Sequence, residues 1–469
     1  MKPPPSAAIL DLDGVLVDLH LDAQRVRREV NAILAGHGLT LAGEGLLAGI
    51  ESACAALSSR DPEAGAGLAA RLWAVVDEEE ARRAPTCSLH PGALALLDHL
   101  AGLPVALYTN NHRACALAAL AAVGVDSGQF FAIQARTGAA SIKPSAAPVL
   151  TLLAAPEVVG VERVFLVGDH AADMGSALAA RQALPRPALE VIAIGHAHRM
   201  DDVARLEAAG ADFVVTDLGE AAEMIRAPRS PHHLSMVLLA WNEEESIEAA
   251  VHECRRFGRL WLSGYEIIVV DDGSSDATTR RAESAGQGDV RVVRHARNQG
   301  MGAAMRDGYA TARCDYIAHL PADRQVRPQA LLAFLPRVSP ETTVVSTYLA
   351  PPSGGQRRLM SMAFRLIVRG LGGLRVNFAG TYVFGRRWLD KIDLASVRSE
   401  TFVFSFELLE RLRRAGSRFA EVTIRPFARE VGRSREVALR RMLRVFGEVA
   451  RYRVRSLFHD RNSSPPSDF

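Results

Sequence analysis

Short apolar runs alternate with Ala- and Leu-rich helical stretches between Ala7 and Val215. The runs are AAIL before Asp11, VALY before Thr109, VFLV before Gly168, VIAI before Gly195 and FVV after Asp212. Apolar strands separated by helical segments are typical of a parallel, doubly wound sheet, because its strands are buried on both faces. Residues 19–88 carry helical periodicity and no strong strand, which predicts a helical insert, or cap, over the carboxyl edge of the sheet.

The polar, proline-containing segment 227–233 predicts a linker between two domains. A second alternation follows, with the apolar runs LSMVLLA, YEIIVVDD, VRVVRH, DYIAHL and TVVSTYL. Beyond the Pro- and Gly-rich stretch 350–355, the chain becomes arginine-rich and mostly helical in pattern. We therefore expect an α/β protein with one domain over 1–226, a second over 234–436 and a basic C-terminal helix and tail over 437–469.

The composition fits a globular protein with more than one core, because 48% of the 469 residues are apolar. No stretch reaches the roughly 18 uncharged apolar residues of a membrane-spanning helix. The first residues, MKPPP, begin a poor signal peptide, since carboxylates interrupt the apolar run that follows. Five scattered cysteines form neither a disulfide framework nor a Cys-x-x-Cys metal site, so we expect a cytoplasmic protein.

The charge is unevenly distributed along the chain. Residues 353–461 hold 24 Lys and Arg against 10 Asp and Glu, whereas the rest holds 31 against 43. A basic C-terminal quarter favours phosphates, nucleic acid or an anionic membrane surface as partners. Nucleic acid is the weakest of these, because stacking aromatic residues do not interleave with the arginines. Lysine occurs only at Lys2, Lys143 and Lys391 among 55 basic residues, so an internal lysine calls for a specific reason.

Four polar motifs of the first half follow strands or open helices. They are Asp11-Leu12-Asp13-Gly14, Thr109 after VALY, Lys143 in Ser-Ile-Lys-Pro, and Gly168-Asp169 with Asp173 after VFLV. Paired carboxylates at a strand end can hold Mg²⁺ and move protons, although an isolated Asp-x-Asp-Gly is also found in plain turns. Thr109 is expected to open a helix, where a hydroxyl and free N–H groups bind phosphate. The carboxyl ends of parallel strands converge on one crevice, so we expect these groups to meet there.

This order of motifs resembles the haloacid dehalogenase-like superfamily over residues 6–225. The resemblance implies that Asp11 is the nucleophile, which forms an aspartyl-phosphate, and that Asp13 is the general acid and base. Thr109 and Lys143 would hold the phosphoryl group. The carboxylate at Asp13 favours the phosphatases over the dehalogenases of this superfamily.

The same resemblance implies a magnesium site. Asp11, Asp169 and the carbonyl of Asp13 would ligate Mg²⁺, and Asp173 would bond either to the waters of the metal or to Lys143. The insert would shape the pocket for a phosphorylated small molecule that the sequence does not identify.

The second half contains three further motifs. LLAWNEEE places Asn242, Glu243 and Glu244 after a strand, VVDDGSSDAT places Asp271 and Asp272 after the next one, and NQGMG runs from Asn298 to Gly302. The acidic residues after the first strand are also compatible with simple helix capping. Together the motifs resemble family-2 glycosyltransferases of the GT-A fold over about 233–440, especially the polyprenyl-phosphate sugar transferases. The resemblance implies that Glu243, Asp271 and Asp272 bind the base and ribose of a nucleotide-sugar, while Asn298 and Gly302 shape the pocket floor.

The metal motif of that family is altered here. The family has Asp-x-Asp followed by Gln, whereas this chain has Pro321-Ala322-Asp323-Arg324-Gln325. Asp323 would still bind the donor diphosphate through Mg²⁺ or Mn²⁺, since such sites borrow oxygens from the substrate. Trp241 also stands where the family commonly has Tyr.

Two basic features of the sequence are candidates for binding the molecule that accepts the sugar. Arg429-Glu430-Val431-Gly432-Arg433-Ser434-Arg435 resembles the Arg-x-x-Gly-x-Ser-Lys element of the family, so Arg429, Ser434 and Arg435 would bind a diphosphate or an acceptor phosphate. A solvated arginine face is the alternative. Residues 437–458 alternate apolar residues and arginines at helical spacing, which is typical of a helix on a membrane surface or of one packed on the domain with its arginines in water.

The sequence thus predicts a Mg²⁺-dependent phosphatase fused to a glycosyltransferase with a phosphorylated, polyprenyl-type acceptor. One alternative gives the transferase a soluble phosphorylated acceptor, whose glycosylated product the phosphatase would dephosphorylate. Another makes the second domain a non-catalytic nucleotide-sugar-binding module. We expect a cytoplasmic location, with peripheral attachment to the inner face of the membrane if the basic helix binds lipid.

Overall fold

The computed structural model describes residues 6–41, 45–137, 142–184, 189–348, 380–427, 447–448 and 451. The chain divides into two compact units, Met1–Pro228 and Arg229–Phe469. The first strand of the second unit begins at Ser230, inside the segment 227–233 that the sequence predicts as a linker. It does so because Ser230 pairs with Leu262 of the neighbouring strand, which extends the sheet into the polar segment.

The first unit is built on a six-stranded sheet. Its strands are β1 (Ser6–Leu10), β4 (Val105–His112), β5 (Ala132–Arg136), β6 (Arg163–Gly168), β7 (Glu190–His196) and β8 (Phe213–Val215). They lie in the order β5-β4-β1-β6-β7-β8, and every neighbouring pair is parallel. The predicted parallel, doubly wound sheet is therefore confirmed.

Helices that lie between the strands in the chain, and one that follows β8, pack around this sheet. They are α4 (Ala93–Leu100), α5 (Arg113–Ala122), α6 (Ala147–Leu153), α7 (Ala171–Ala183), α8 (Met200–Ala208) and α9 (Leu218–Arg226). Buried side chains of the strands, such as Ile9 and Leu166, form one core with Met174 and Ala177 of α7. Because β1 and β6 are central and adjacent, their carboxyl ends lie side by side.

Strand β5 is absent from the sequence prediction. It is an edge strand that pairs only with β4, and its first three residues are half-buried. An edge strand of this kind need not be continuously apolar, so its sequence AIQAR lacks the signal of the buried strands.

The insert consists of three helices, α1 (Ala23–Ala35), α2 (Leu46–Ser58) and α3 (Pro62–Arg83). Their apolar faces form a separate small core that includes Val30, Ile50 and Leu72. The chain enters the insert through β2 (Val17–Asp18) and leaves it through β3 (Ser88–Leu89), and these two short strands pair antiparallel.

The second unit is built on a seven-stranded mixed sheet. Its strands are β9 (Ser230–Ala240), β10 (Leu262–Asp271), β11 (Val290–Arg294), β12 (Tyr316–Pro321), β13 (Thr342–Tyr348), β14 (Tyr382–Gly385) and β15 (Arg418–Ile424). The order is β11-β10-β9-β12-β14-β13-β15, in which β14 runs antiparallel to both of its neighbours. The first four strands are parallel and form the half of the sheet that carries the motifs.

Among the described residues of this unit, four α-helices accompany the sheet, namely α10 (Ile247–Trp261), α11 (Thr278–Ala285), α12 (Met301–Thr311) and α13 (Val403–Arg414). The core between the sheet and α12 and α13 contains a buried hydrogen-bonded group, in which the Tyr309 hydroxyl lies 2.9 Å from the Tyr382 hydroxyl and 3.1 Å from His319 Nδ1. In the described part of the chain, none of the helices combines the length and the hydropathy that crossing a bilayer requires.

Candidate active sites

Lys143 lies at the centre of the first site. Its Nζ is 2.6 Å from Asp11 Oδ1 and 2.6 Å from Asp173 Oδ1. The same ammonium stands 4.9 Å above the Tyr108 ring, and the lysine is buried. Burial alone lowers the pKa of Lys143, but the two carboxylates outweigh it and raise the pKa above its usual value. Of the two partners that the sequence left open for Asp173, the structure shows Lys143.

Asp11 follows β1, and Asp173 lies in the first turn of α7. Asp11 Oδ1 also accepts a hydrogen bond of 2.7 Å from the Leu12 N–H, and Asp173 accepts one of 3.0 Å from the His170 N–H. Burial raises the pKa of Asp11 well above its usual range, against the lowering effect of Lys143. The negative charge on Asp11 therefore depends on nearby cations.

Asp13 and Gly14 form the turn that follows Asp11. The Asp13 carboxylate accepts a hydrogen bond of 2.8 Å from the Leu19 N–H, and burial raises the pKa of Asp13 to about 6. Gly14 has a φ of +78°, and a Cβ at this position would lie 2.2 Å from Asp169 Oδ2. Only glycine allows the turn to approach the Asp169 carboxylate this closely.

Carboxylate oxygens of Asp11, Asp169 and Asp173 lie within 4.8 Å of one another. Burial, followed by the charge of Asp173, raises the pKa of Asp169. Lys143 forms ion pairs with Asp11 and Asp173. An additional cation would further reduce the repulsion among the three carboxylates. Hard oxygen donors suit Mg²⁺, so the residues fit the ion that the motif implies. Asp11 and Asp169 are the best placed to hold it, because both oxygens of Asp173 have partners, Oδ1 in Lys143 and Oδ2 in the His170 N–H.

Thr109 differs from its sequence prediction. It lies inside β4, which continues to His112, and the helix α5 begins only at Arg113. Its hydroxyl donates a hydrogen bond of 2.8 Å to Asn111 Oδ1. The prediction that Thr109 opens a helix is therefore wrong, because the strand extends four residues past the apolar run.

Two neighbours of Thr109 were missed in the sequence. Asn110 Oδ1 accepts a hydrogen bond of 2.8 Å from the backbone N–H of Lys143 and so positions the lysine. Asn111 Nδ2 donates to Glu80 Oε1 at 3.2 Å, which ties α3 of the insert to the end of β4. The string Thr-Asn-Asn-His was a usable signal for the two asparagines, whereas Glu80 is 31 residues away and carries none.

The paired aspartates of the second unit have well-defined partners. Asp271 Oδ1 accepts the Ser274 N–H at 2.9 Å, and its other oxygen accepts the Thr279 hydroxyl. Asp272 Oδ1 lies 2.7 Å from His295 Nδ1 and accepts the Gln299 N–H at 2.8 Å, while Oδ2 accepts the Gly300 N–H at 2.8 Å. Both carboxylates are buried and hold loops in place, and their contact with a nucleotide stays a prediction.

The turn from Asn298 to Gly302 packs closely against the backbone of Ser399 and Glu400. A Cβ on Gly302 would lie 2.1 Å from the Ser399 carbonyl oxygen, and a Cβ on Gly300 would lie 2.6 Å from that of Glu400. The Gly302 N–H also donates to the Glu400 carbonyl at 2.9 Å. Glycine is required here by close backbone approach, and the Asn298 side chain beside it is exposed.

Glu243 lies in a loop that precedes α10, whose N-cap is Ser246. The Glu243 N–H donates to the Thr278 hydroxyl at 2.8 Å, and Glu243 Oε2 accepts the Ser246 hydroxyl at 2.9 Å. Asn242 Oδ1 likewise accepts the Ser275 N–H at 2.9 Å. Hydrogen bonds thus join the loops after β9 and β10, which places the predicted base-binding residues at one edge of the sheet.

Asp323 follows β12, and its carboxylate accepts hydrogen bonds from the Gln325 backbone N–H at 3.2 Å and from Gln325 Nε2 at 2.9 Å. Arg324 has a φ of +59° and turns inward, where its guanidinium lies 2.7 Å from Glu253. Within the described ranges, no group of three potential metal ligands includes Asp323. A metal at Asp323 would therefore depend on oxygens of the substrate.

Arg429, Ser434 and Arg435 lie outside the described residues, as does most of 437–458. Their predicted contacts with phosphate and lipid stay predictions.

Residues 5–181 match the family model described as haloacid dehalogenase-like hydrolase, and residues 235–398 match the one described as glycosyl transferase family 2. Among curated proteins, the undecaprenyl-phosphate 4-deoxy-4-formamido-L-arabinose transferase of Pectobacterium atrosepticum is 32% identical over 145 residues, which cover 29% of this chain and 43% of that protein. The dolichol-phosphate mannosyltransferase of Saccharomyces cerevisiae is 25% identical over 155 residues, which cover 31% of this chain and 58% of that protein. The chain thus matches about half the length of these relatives.

Two solved structures are similar in fold to parts of this chain. Glucosyl-3-phosphoglycerate synthase from Mycobacterium tuberculosis in complex with UDP matches 47% of this chain and 80% of its own, with 22% identity and a TM-score of 0.37. A haloacid dehalogenase-like hydrolase from Streptococcus pneumoniae matches 46% of this chain and 96% of its own, with 17% identity and a TM-score of 0.32.

Proposed function

We propose that this chain, which joins a haloacid dehalogenase-like hydrolase domain to a family 2 glycosyltransferase domain, is a bifunctional enzyme. The first domain hydrolyses a phosphate monoester. The second transfers a sugar from a nucleotide-sugar to a phosphorylated acceptor of the polyprenyl-phosphate type. The observation that carries the hydrolase assignment is the buried ion pair of Lys143 with Asp11 and Asp173.

Asp11 acts as the nucleophile of the phosphatase. Lys143 and the Leu12 N–H both contact Oδ1, an arrangement that leaves Oδ2 to attack phosphorus. The bond between phosphorus and the leaving oxygen breaks, and Asp13 donates its proton to that oxygen. Asp13 then accepts a proton from water, whose oxygen attacks phosphorus and releases Asp11 and inorganic phosphate.

The remaining groups hold the phosphoryl oxygens. The Thr109 hydroxyl and Lys143 bind them, and Asn110 keeps the lysine in place. Mg²⁺ held by Asp11, Asp169 and the carbonyl of Asp13 would supply further positive charge to the phosphoryl oxygens. Asp173 orients Lys143 through its own contact with Nζ.

The transferase assignment is supported by the family match and by the hydrogen bonds that join the loop of Glu243 to the loop that follows the paired aspartates. In this proposal Glu243, Asp271, Asp272, Asn298 and Gly302 form the nucleotide side of the pocket. Asp323 binds the diphosphate together with Mg²⁺ or Mn²⁺.

The acceptor follows from the relatives and from charge. Two relatives carry the names of sugar transferases that include undecaprenyl phosphate or dolichol phosphate. An acceptor phosphate is already ionised, so the enzyme needs cations to orient it rather than a strong base. Arg429, Ser434 and Arg435 supply that function in our proposal.

A donor screen with the full chain tests the transferase. Each nucleotide-sugar is incubated with Mg²⁺ or Mn²⁺ in the presence of vesicles that contain polyprenyl phosphate, of vesicles without it, or of soluble phosphorylated acceptors. We expect sugar in the lipid fraction only with polyprenyl phosphate, and its loss in Asp323→Ala. Transfer to a soluble acceptor would overturn the lipid assignment, and no donor consumption under any condition would make the domain a binding module. Asp98→Asn, an exposed carboxylate of the first unit, is the control.

A further inference from the structure

Three histidines of the first unit form a cluster that the phosphatase mechanism does not use. His90 follows β3, His196 is the last residue of β7, and His198 lies two residues beyond it. Their ring centroids are 4.7–5.1 Å apart, and each ring offers a nitrogen within 4.8 Å of the other two. His90 and His196 are buried, whereas His198 is exposed.

Each imidazole is oriented by an oxygen acceptor. His90 Nδ1 lies 2.7 Å from Asp18 Oδ1, His196 Nδ1 lies 3.1 Å from the Gly14 carbonyl, and His198 Nε2 lies 3.2 Å from Asp169 Oδ2. A ring nitrogen that donates to oxygen fixes the tautomer, so the opposite nitrogen carries a lone pair. Histidines that ligate metals almost always show this second hydrogen bond.

We propose that His90, His196 and His198 bind a first-row transition-metal ion, and that Zn²⁺ is the ion of this site. Three imidazoles form a typical Zn²⁺ ligand set, which leaves the fourth position to water or to an oxygen of a phosphorylated ligand. Imidazole nitrogen selects such ions, whereas the neighbouring carboxylates select Mg²⁺. The two sites therefore take different metals.

The location gives this ion a role in the architecture of the domain. Asp18, the partner of His90, belongs to β2, and His90 directly follows β3, so both lie at the base of the insert. His196 belongs to the central sheet. The ion would tie the base of the insert to the sheet, next to Asp169.

Cobalt serves as the spectroscopic probe, because Co²⁺ occupies Zn²⁺ sites and absorbs visible light when four-coordinate. The full chain is stripped of metal, equilibrated with excess Mg²⁺ to fill the oxygen sites, and titrated with Co²⁺. We expect about one equivalent of Co²⁺ to bind with visible absorption, and Zn²⁺ to displace it. His196→Gln and the exposed His198→Gln should weaken binding at least tenfold, and Asp18→Asn should weaken it by roughly 10–100-fold, as expected for a residue that orients a ligand.

Two controls separate this site from the others. His37→Gln removes an exposed histidine elsewhere in the unit and should bind Co²⁺ like the wild type. Asp11→Asn should also keep the absorption, because it alters only the carboxylate site. The proposal is overturned if the wild type gives no visible absorption, or if the histidine variants, shown to be folded by circular dichroism, bind Co²⁺ as the wild type does. It is equally overturned if Asp11→Asn abolishes the absorption.

Discussion

Lys143 combines burial with two short contacts, and a larger cation at this position has no room. Its Nζ is 2.6 Å from one oxygen of Asp11 and 2.6 Å from one of Asp173, and the Tyr108 ring lies on a further side. A planar guanidinium is bulkier than an ammonium and spreads its charge. We expect Lys143→Arg to lower turnover of an aryl phosphate by at least 100-fold and to leave sugar transfer unchanged.

The matched control for this variant is Lys391→Arg. Lys391 is exposed, and its Nζ stands 4.6 Å over the Trp388 ring, a contact that arginine also makes well. Both activities should be retained in this control. Full phosphatase activity in Lys143→Arg would show that Lys143 does not act at the reacting phosphoryl group.

In the proposed mechanism Asp11 is the nucleophile and Asp13 the general acid and base, so replacing each by asparagine should lower phosphatase activity to a different extent. Asp11→Asn removes the nucleophile, so we expect a loss of several orders of magnitude in phosphatase turnover. Asp13→Asn removes a general acid and base, which is worth roughly 10²–10⁴ in rate. Steady-state hydrolysis of an aryl phosphate with Mg²⁺ measures both, with Asp98→Asn as the exposed control. Wild-type turnover in Asp11→Asn would disprove the proposed nucleophile.

At the scale of single elements, helix α3 depends on one buried carboxylate. Glu79 is 1% exposed and accepts hydrogen bonds from Arg82, Arg83, Arg25 and the Asp22 N–H. Burial by itself raises the pKa of Glu79, but the hydrogen bonds outweigh it and lower the pKa from 4.5 to about 2. We expect Glu79→Gln to lower the free energy of unfolding of the first unit by about 1–3 kcal/mol at pH 7.

The pH dependence of that loss has a definite sign. A carboxyl with a lowered pKa stabilises the fold above its unfolded pKa, and this contribution disappears as the pH falls from about 4.5 towards 2. The difference between Glu79→Gln and the wild type should therefore shrink over this range in urea unfolding followed by circular dichroism. Glu78→Gln is the control, because its side chain is 72% exposed and its loss should cost less than about 0.5 kcal/mol. Equal stability of Glu79→Gln and the wild type at pH 7 would contradict the prediction.

The sequence predicted what short-range patterns encode. Asp11 and Asp169 follow continuously apolar strands, so the sheet and the position of these carboxylates at its edge were predictable together. Glu80 and the three clustered histidines reach their partners through tertiary packing, which leaves no local pattern in the sequence. The sequence places the end of β4 too early. Backbone pairing continues to His112, past the apolar residues that indicate a strand.

For the whole molecule, the excess of arginine in residues 353–461 bears on lipid binding. If 437–458 binds an anionic surface, each arginine contributes about 1 kcal/mol and is screened by salt. Replacing Arg440, Arg441, Arg444 and Arg451 by Gln should release the protein from anionic vesicles, with phosphatase activity unchanged. Co-sedimentation at low and high salt measures this release.

A second quadruple variant controls for net charge. It replaces four exposed arginines elsewhere by Gln, namely Arg28, Arg60, Arg71 and Arg280. This variant should still sediment with anionic vesicles at low salt. A wild type that stays in the supernatant at low salt would refute membrane attachment and favour a soluble acceptor.

The antiparallel pair of β2 and β3 makes the insert an exchangeable cassette. Val17 pairs with Leu89 and Asp18 with Ser88, so the chain departs and returns at one fixed point whatever lies between. The entropy of closing such a loop changes only slowly with its length, so inserts of other sizes are affordable at this junction. Asp11 and Lys143 lie outside the insert and are held by contacts with each other, with Asp173 and with Asn110, which a graft would leave in place. In the proposed enzyme, an exchanged insert would therefore alter the substrate pocket and leave the groups proposed for phosphate hydrolysis in the sheet domain.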